Sequence, residues 1–202
     1  MKPAAVAAPR FVVLFAGVGG QGALSAARFL GEAGHRLGLP LTVSQLHGMS
    51  QRGGAVQASV CFGSDQVAPL GGAGVDVVVG LELLETLRML GRVDARTVVL
   101  CNRWLLPPPA AALSGAKLPA LDEVVAELRR RAKAVHLLDA NGLADRAGAH
   151  TAVNTVMLGA LVALAGCPVS ADVLRATIRA AAPASAAVND RALALGGEAV
   201  RP

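Results

Sequence analysis

At 202 residues, 53% of them apolar, the chain can bury a core without disulfide or metal support. Its apolar residues nonetheless never form the run of roughly 20 that a membrane-spanning helix needs. The net charge of +5 comes from scattered basic residues, and with 2% aromatics and no tyrosine there is little for bases to stack on, which argues against a nucleic-acid partner.

Lys2, the apolar stretch from Phe11 to Val18 and the small residues after Gln21 loosely imitate a secretory signal. A core strand running into a glycine turn is the better reading, because it also accounts for Gly17, Gly19, Gly20 and Gly22; a cytoplasmic protein is expected. The first strand is read over Phe11 to Ala16, followed by a helix from about Gly22 with Gly34 as its stop. A second strand is expected over Leu41 to Gln45. The segment from Leu46 to Gly54 has neither periodicity and reads as an ordered loop.

Strands are expected at Ala55 to Phe62, Val75 to Val79, Thr97 to Cys101 and Ala134 to Leu138, and helices at Leu81 to Leu90 and Leu121 to Arg131. Pro107, Pro108 and Pro109 mark a surface excursion. Residues from about Asn141 to Ala199 read as a helical C-terminal third, in which Thr155 to Val169, interrupted by Gly166 and Pro168, is a buried helix rather than a span. The resulting fold is α/β: one three-layer domain over residues 1–202, core about 11–197, with a mostly parallel but mixed sheet and helices on both faces. Cys61, Cys101 and Cys167 are far apart and odd in number, so they read as small buried hydrophobes rather than as a disulfide or cluster framework.

Gly17, Gly19 and Gly22 fit the spacing G-x-G-x-x-G between strand and helix, the Rossmann-like turn of a dinucleotide fold. Such a turn can bring backbone N–H groups against a phosphate, or it can simply be tight. The acidic residue that would bind a ribose hydroxyl is missing; Ser44 and Gln45 stand where it should be. That argues against an NAD dehydrogenase and leaves a different phosphate-bearing ligand.

The next loop is richer in chemistry. Ser44 to Gly54 gathers an imidazole (His47), the amides of Gln45 and Gln51, and a guanidinium (Arg52) among Gly48, Gly53 and Gly54. His47 can exchange a proton near neutral pH or serve as a structural hydrogen-bonder, and Arg52 can clamp a carboxylate or phosphate with two prongs or stand as a solvated charge. In a doubly wound sheet this loop would emerge beside the glycine turn.

Taken together, G-V-G-G-Q-G at Gly17 to Gly22, H-G-M-S-Q-R-G-G at His47 to Gly54, Pro69-Leu70, D-V-V-V-G-L-E at Asp76 to Glu82, and Asn154 ahead of Met157-Leu158-Gly159 carry a resemblance. Over about Phe11 to Gly197 the chain resembles the gamma-type domain of the 2-oxoacid:ferredoxin oxidoreductases, most specifically the small subunits of the indolepyruvate branch. It differs from their pattern at Cys61, where a polar or basic residue is expected, and in its alanine-rich stretch from Pro183 to Gly197.

The resemblance implies oxidative decarboxylation of an arylpyruvate, with coenzyme A as acyl acceptor and ferredoxin as electron acceptor. Thiamine diphosphate and iron–sulfur clusters are then expected on a larger alpha subunit, and this chain is expected to be inactive alone. His47, Gln51 and Arg52 become the candidate catalytic residues. Gly17, Gly19, Gly20, Gln21, Gly22, Ser44, Gly53 and Gly54 become the candidate contacts to coenzyme A. Two alternatives remain open from the sequence: a complex acting on pyruvate, 2-oxoglutarate or a branched-chain 2-oxoacid, and a non-catalytic nucleotide-binding module.

Overall fold

The computed structural model describes residues 10–47, 54–63, 74–108 and 117–201. Six strands form one sheet: β1 (Phe11–Val18), β2 (Leu41–His47), β3 (Ala55–Phe62), β4 (Val77–Gly80), β5 (Val98–Asn102) and β6 (Ala134–Leu138). Their spatial order is β2-β3-β1-β4-β5-β6. Strands β1, β4, β5 and β6 are parallel, while β3 runs antiparallel to both β1 and β2. The expected mixed sheet is therefore present. Its reversed strand lies between β1 and β2, because β2 and β3 form a hairpin that docks on β1 through β3.

Alternation along β1 divides the interior into two cores. Val13 and Phe15 enter a core shared with α1 (Ala23–Arg36), α4 (Ala140–Ala147), α5 (Val153–Ala163), α6 (Ala171–Ala181) and α7 (Ala186–Glu198). Val12, Leu14 and Ala16 enter the other, closed by α2 (Leu83–Arg88) and by α3 (Leu121–Arg131). The period of two in the strand thus meets helices on both faces, as a three-layer sandwich requires. The C-terminal third is helical, and α5 and α7 approach so closely that a Cβ on Gly196 would lie 1.9 Å from the Val156 carbonyl oxygen.

Several boundaries differ from the sequence reading. Helix α1 does not stop at Gly34 but continues to Arg36, with Leu37 as its C-cap. Gly34 is buried inside the helix, and a Cβ there would be 2.5 Å from the Phe62 ring, so this glycine permits close helix-to-sheet packing and does not end the helix. Strand β2 reaches His47, because its hairpin with β3 continues to the pair His47–Val56. The expected helix of Leu81 to Leu90 is shorter, since Glu82 caps it through the Glu85 N–H and the chain tightens into a 3₁₀ turn at Met89–Arg92. Among the described residues no helix is long and apolar enough to cross a membrane.

Candidate functional site

The glycine turn is held by its own glutamine. The Gln21 N–H donates to the Val18 carbonyl at 3.0 Å, and the Val18 N–H donates back to Gln21 Oε1 at 2.8 Å. Gly17 leaves room for that side chain, since a Cβ there would stand 2.9 Å from the same oxygen. Gly22 has φ +85°, and a Cβ on it would meet Asn154 Nδ2 at 2.7 Å; that amide donates to the Gly22 carbonyl at 3.4 Å. Asn154, at the start of α5, thus ties the turn to the helical third. Gly22 is also the N-cap of the 14-residue α1 and provides no side-chain cap, so the N–H groups of the first turn remain directed at this edge of the sheet.

The second loop emerges beside it. Strand register puts Gly17 opposite Val56 and His47 opposite the same residue, so the ends of β1 and β2 and the start of β3 lie in one row. The Gly19 N–H donates to the Gly54 carbonyl at 2.8 Å, which joins the two turns directly. That bond occupies the Gly19 donor and leaves the approach to an anion to Gly20, Gly22 and the helix start. Ser44 is not brought to this edge: it pairs with Ser59 in mid-strand, three residues below His47, about 10 Å along β2. Gln51, Arg52 and Gly53 lie outside the described residues, as does Pro69-Leu70, and for His47 only the main chain is described.

A cleft of about 210 Å³ opens on the same edge, past the carboxyl end of the parallel strands. Gly20 and Gln21 form one wall, and Asn102, Trp104, Asn141 and Thr151 are among the others. This is the place where open α/β sheets bind ligands. Asn102, 1% exposed, is fully engaged: its Nδ2 donates to the Leu81 carbonyl at 3.1 Å and to Asn141 Oδ1 at 2.7 Å, and its Oδ1 accepts from the Ala140 N–H at 3.1 Å. The segment after β5 is pinned just as firmly. Buried Glu82 accepts from the Leu106 N–H at 2.9 Å with Oε1 while capping α2 with Oε2, and the Leu83 N–H donates to the Trp104 carbonyl at 2.9 Å.

Sequence reasoning did not single out Asn102, Trp104 or Asn141. Asn102 closes β5 and Asn141 opens α4, and nothing in the local pattern shows that these ends meet. Glu82 and Asn154 lay within recognised motifs, but their contacts depend on segments 24 and 132 residues away in the chain.

The three thiols lie at least partly inside the fold. Cys61 and Cys101 are buried in the α2–α3 core, and Cys167 is half-buried. Burial pushes the Cys101 thiol up to about 12, despite its 3.3 Å hydrogen bond to Thr86 Oγ1, and burial likewise raises Cys167 to about 11. Among the described residues no group of three or more His, Cys, Asp or Glu side chains could hold a metal ion. Burial also raises the Glu85 carboxyl, against the opposing pull of Arg88.

The sequence pattern of the pyruvate ferredoxin/flavodoxin oxidoreductase family matches residues 12–199. The chain belongs to this family. Within the pyruvate ferredoxin/flavodoxin oxidoreductases it is 34% identical over 170 residues to the indolepyruvate oxidoreductase subunit IorB of Archaeoglobus fulgidus, covering 84% of this chain and 85% of that one. It is 36% identical over 194 residues to IorB of Pyrococcus horikoshii, covering 94% and 95%.

Solved structures of the family share the fold. The gamma subunit of a keto/oxoacid ferredoxin oxidoreductase from Geobacter sulfurreducens superposes with a TM-score of 0.69 at 23% identity, over 94% of this chain and 97% of that one. The 2-oxoglutarate:ferredoxin oxidoreductase of Magnetococcus marinus, solved with 2-oxoglutarate, coenzyme A and succinyl-CoA bound, gives 0.72 at 19% identity, over 94% of this chain but 31% of that longer one. The chain is accordingly a small subunit of a ferredoxin-dependent 2-oxoacid oxidoreductase.

Proposed function

We propose that this subunit completes an enzyme that oxidatively decarboxylates arylpyruvates, indolepyruvate first among them. The 2-oxoacid loses carbon dioxide, the acyl group forms a thioester with coenzyme A, and two electrons pass to ferredoxin. The whole-length likeness to IorB chains carries the choice of substrate. Thiamine diphosphate, which supplies the carbanion chemistry, and the iron–sulfur clusters belong in this reading to a larger partner subunit.

The role of this chain is to present an edge. The Gly19–Gly54 bond joins the glycine turn to the loop that carries His47, Gln51 and Arg52, and both turns open at the carboxyl end of the sheet. Gly20, Gln21, Gly22 and the start of α1 approach coenzyme A, while Arg52 clamps an anionic group of coenzyme A or of the substrate. His47 holds or moves a proton at that edge.

Co-expression with the larger subunit that this reading requires tests it. The expected result is a complex that reduces viologen or ferredoxin with indolepyruvate and coenzyme A, and that loses the activity when this chain is omitted. Arg52→Ala in that complex should lower turnover about tenfold or more with the thermal midpoint unchanged, as loss of a charged ligand contact does. Absence of a complex, or equal turnover with and without the chain, contradicts the proposal.

A further inference from the structure

Strand β2 is an outer strand of the sheet, and one of its two sides has no partner strand among the described residues. The Gly63 N–H donates to the Pro40 carbonyl at 2.8 Å, and the ladder then runs residue for residue from Leu41–Phe62 to His47–Val56. Bonded and non-bonded positions alternate in an antiparallel pair, so Thr42, Ser44 and Leu46 turn their main-chain groups towards β3. Leu41, Val43, Gln45 and His47 turn theirs outwards. Edge strands are ordinarily blunted by charge, proline, a bulge or brevity. Strand β2 has none of these: its seven residues, LTVSQLH, include no Lys, Arg, Asp, Glu or Pro, and its register is unbroken. Val43 and Leu46 are also exposed, at 37% and 52%.

Helix α1 flanks this edge. A Cβ on Gly31 would lie 2.7 Å from Val43 Cγ2, and one on Gly34 would lie 2.7 Å from Leu41 Cδ2, so α1 runs antiparallel to β2. An open groove of about 770 Å³ lies between them, lined by Arg28, Glu32 and His35 of α1 and by Leu41, Val43 and Gln45 of β2. With Gly31 beside Val43, the helical rise sets Glu32 level with Val43 and Arg28 level with Gln45. Within the chain these two charges form only a loose pair, 3.8 Å apart, with side chains 58% and 45% exposed.

Strand and helix are each complementary to themselves. A two-fold axis through Ser44 sets Val43 against Gln45, and Leu41 against His47, of a second copy. All four outward residues of each strand are then paired. The same operation brings Arg28 across from Glu32 of the second copy, a match of charge that an unrelated strand has no cause to offer. We propose that two copies of this chain join edge to edge through β2, antiparallel and centred on Ser44, with Arg28 of each copy facing Glu32 of the other. The contact is isologous, the same patch on both sides. Because the axis reverses strand direction, the two glycine turns lie at opposite ends of the joined sheet, where each can meet its own larger subunit.

Sedimentation of the full-length chain at micromolar concentration tests this, with the co-expressed complex as a second sample. The wild type is expected as a dimer, and the complex is expected to hold two copies. Gln45→Pro removes one outward N–H and no bond to β3, a placement that edge strands tolerate, and should weaken the dimer about tenfold or more. Glu32→Arg sets like charges across the axis at two places and should weaken it comparably. Adding Arg28→Glu to that variant should restore the dimer. If Gln45→Pro does not fold, the single and double charge reversals on the surface of α1 decide the matter. A wild-type chain that stays monomeric overturns the proposal. So does a dimer that Gln45→Pro and Glu32→Arg leave intact, since the copies then meet elsewhere, or a Glu32→Arg defect that Arg28→Glu does not repair.

Discussion

Gly22 combines two demands that no other residue type satisfies. Its backbone lies at φ +85°, and the Asn154 amide fills the space where a Cβ would project. Gly22→Ala is therefore expected to lower stability by about 1–2 kcal/mol from the left-handed backbone alone, with further loss as Asn154 is displaced. Urea denaturation of the subunit measures this, and an unchanged midpoint would show that the turn relaxes freely. At this scale the sequence revealed the glycines but not their partners. The G-x-G-x-x-G spacing marks a tight turn after a strand, whereas the contacts of Gln21 and Asn154 that define its shape arise from side-chain rotamers and from a helix more than a hundred residues on. Ser44, read near the end of the second strand, is held by the hairpin with β3 in mid-strand against Ser59, because that strand continues to His47.

Elements were read well where one periodicity dominates. Helix α3 and strands β3 and β6 fall on the residues expected. Long-range packing moved the other boundaries, as at Gly34, where the Phe62 ring demands a glycine inside α1. Electrostatics between elements was illegible beforehand. Asp190 on α7 accepts from Nε and Nη2 of Arg179 on α6, chiefly through these bonds, and its carboxyl is held below its ordinary value. The contribution of the pair is thus fully present above the ordinary Asp pKa of about 3.9 and is lost as pH falls through the lowered value. Asp190→Asn should reduce thermal stability at pH 7 modestly, with the difference from wild type vanishing in strong acid. A constant difference across that range would mean that packing, not charge, joins α6 to α7.

For the whole molecule, the reversed β3 has the largest consequence. With β3 inserted between β1 and β2, its start touches the glycine turn through Gly19 and Gly54. The glycine turn, the hairpin ends at His47 and Gly54 and the cleft beside Gly20 then share one edge of the sheet. Such an edge is suited to closing a pocket whose reactive groups reside on another chain. Cryo-electron microscopy of the co-expressed complex with coenzyme A bound tests this most directly. The account predicts coenzyme A at the junction of the two subunits, in contact with Gly20 to Gly22; a glycine turn that faces bulk solvent, with coenzyme A bound elsewhere, would contradict it.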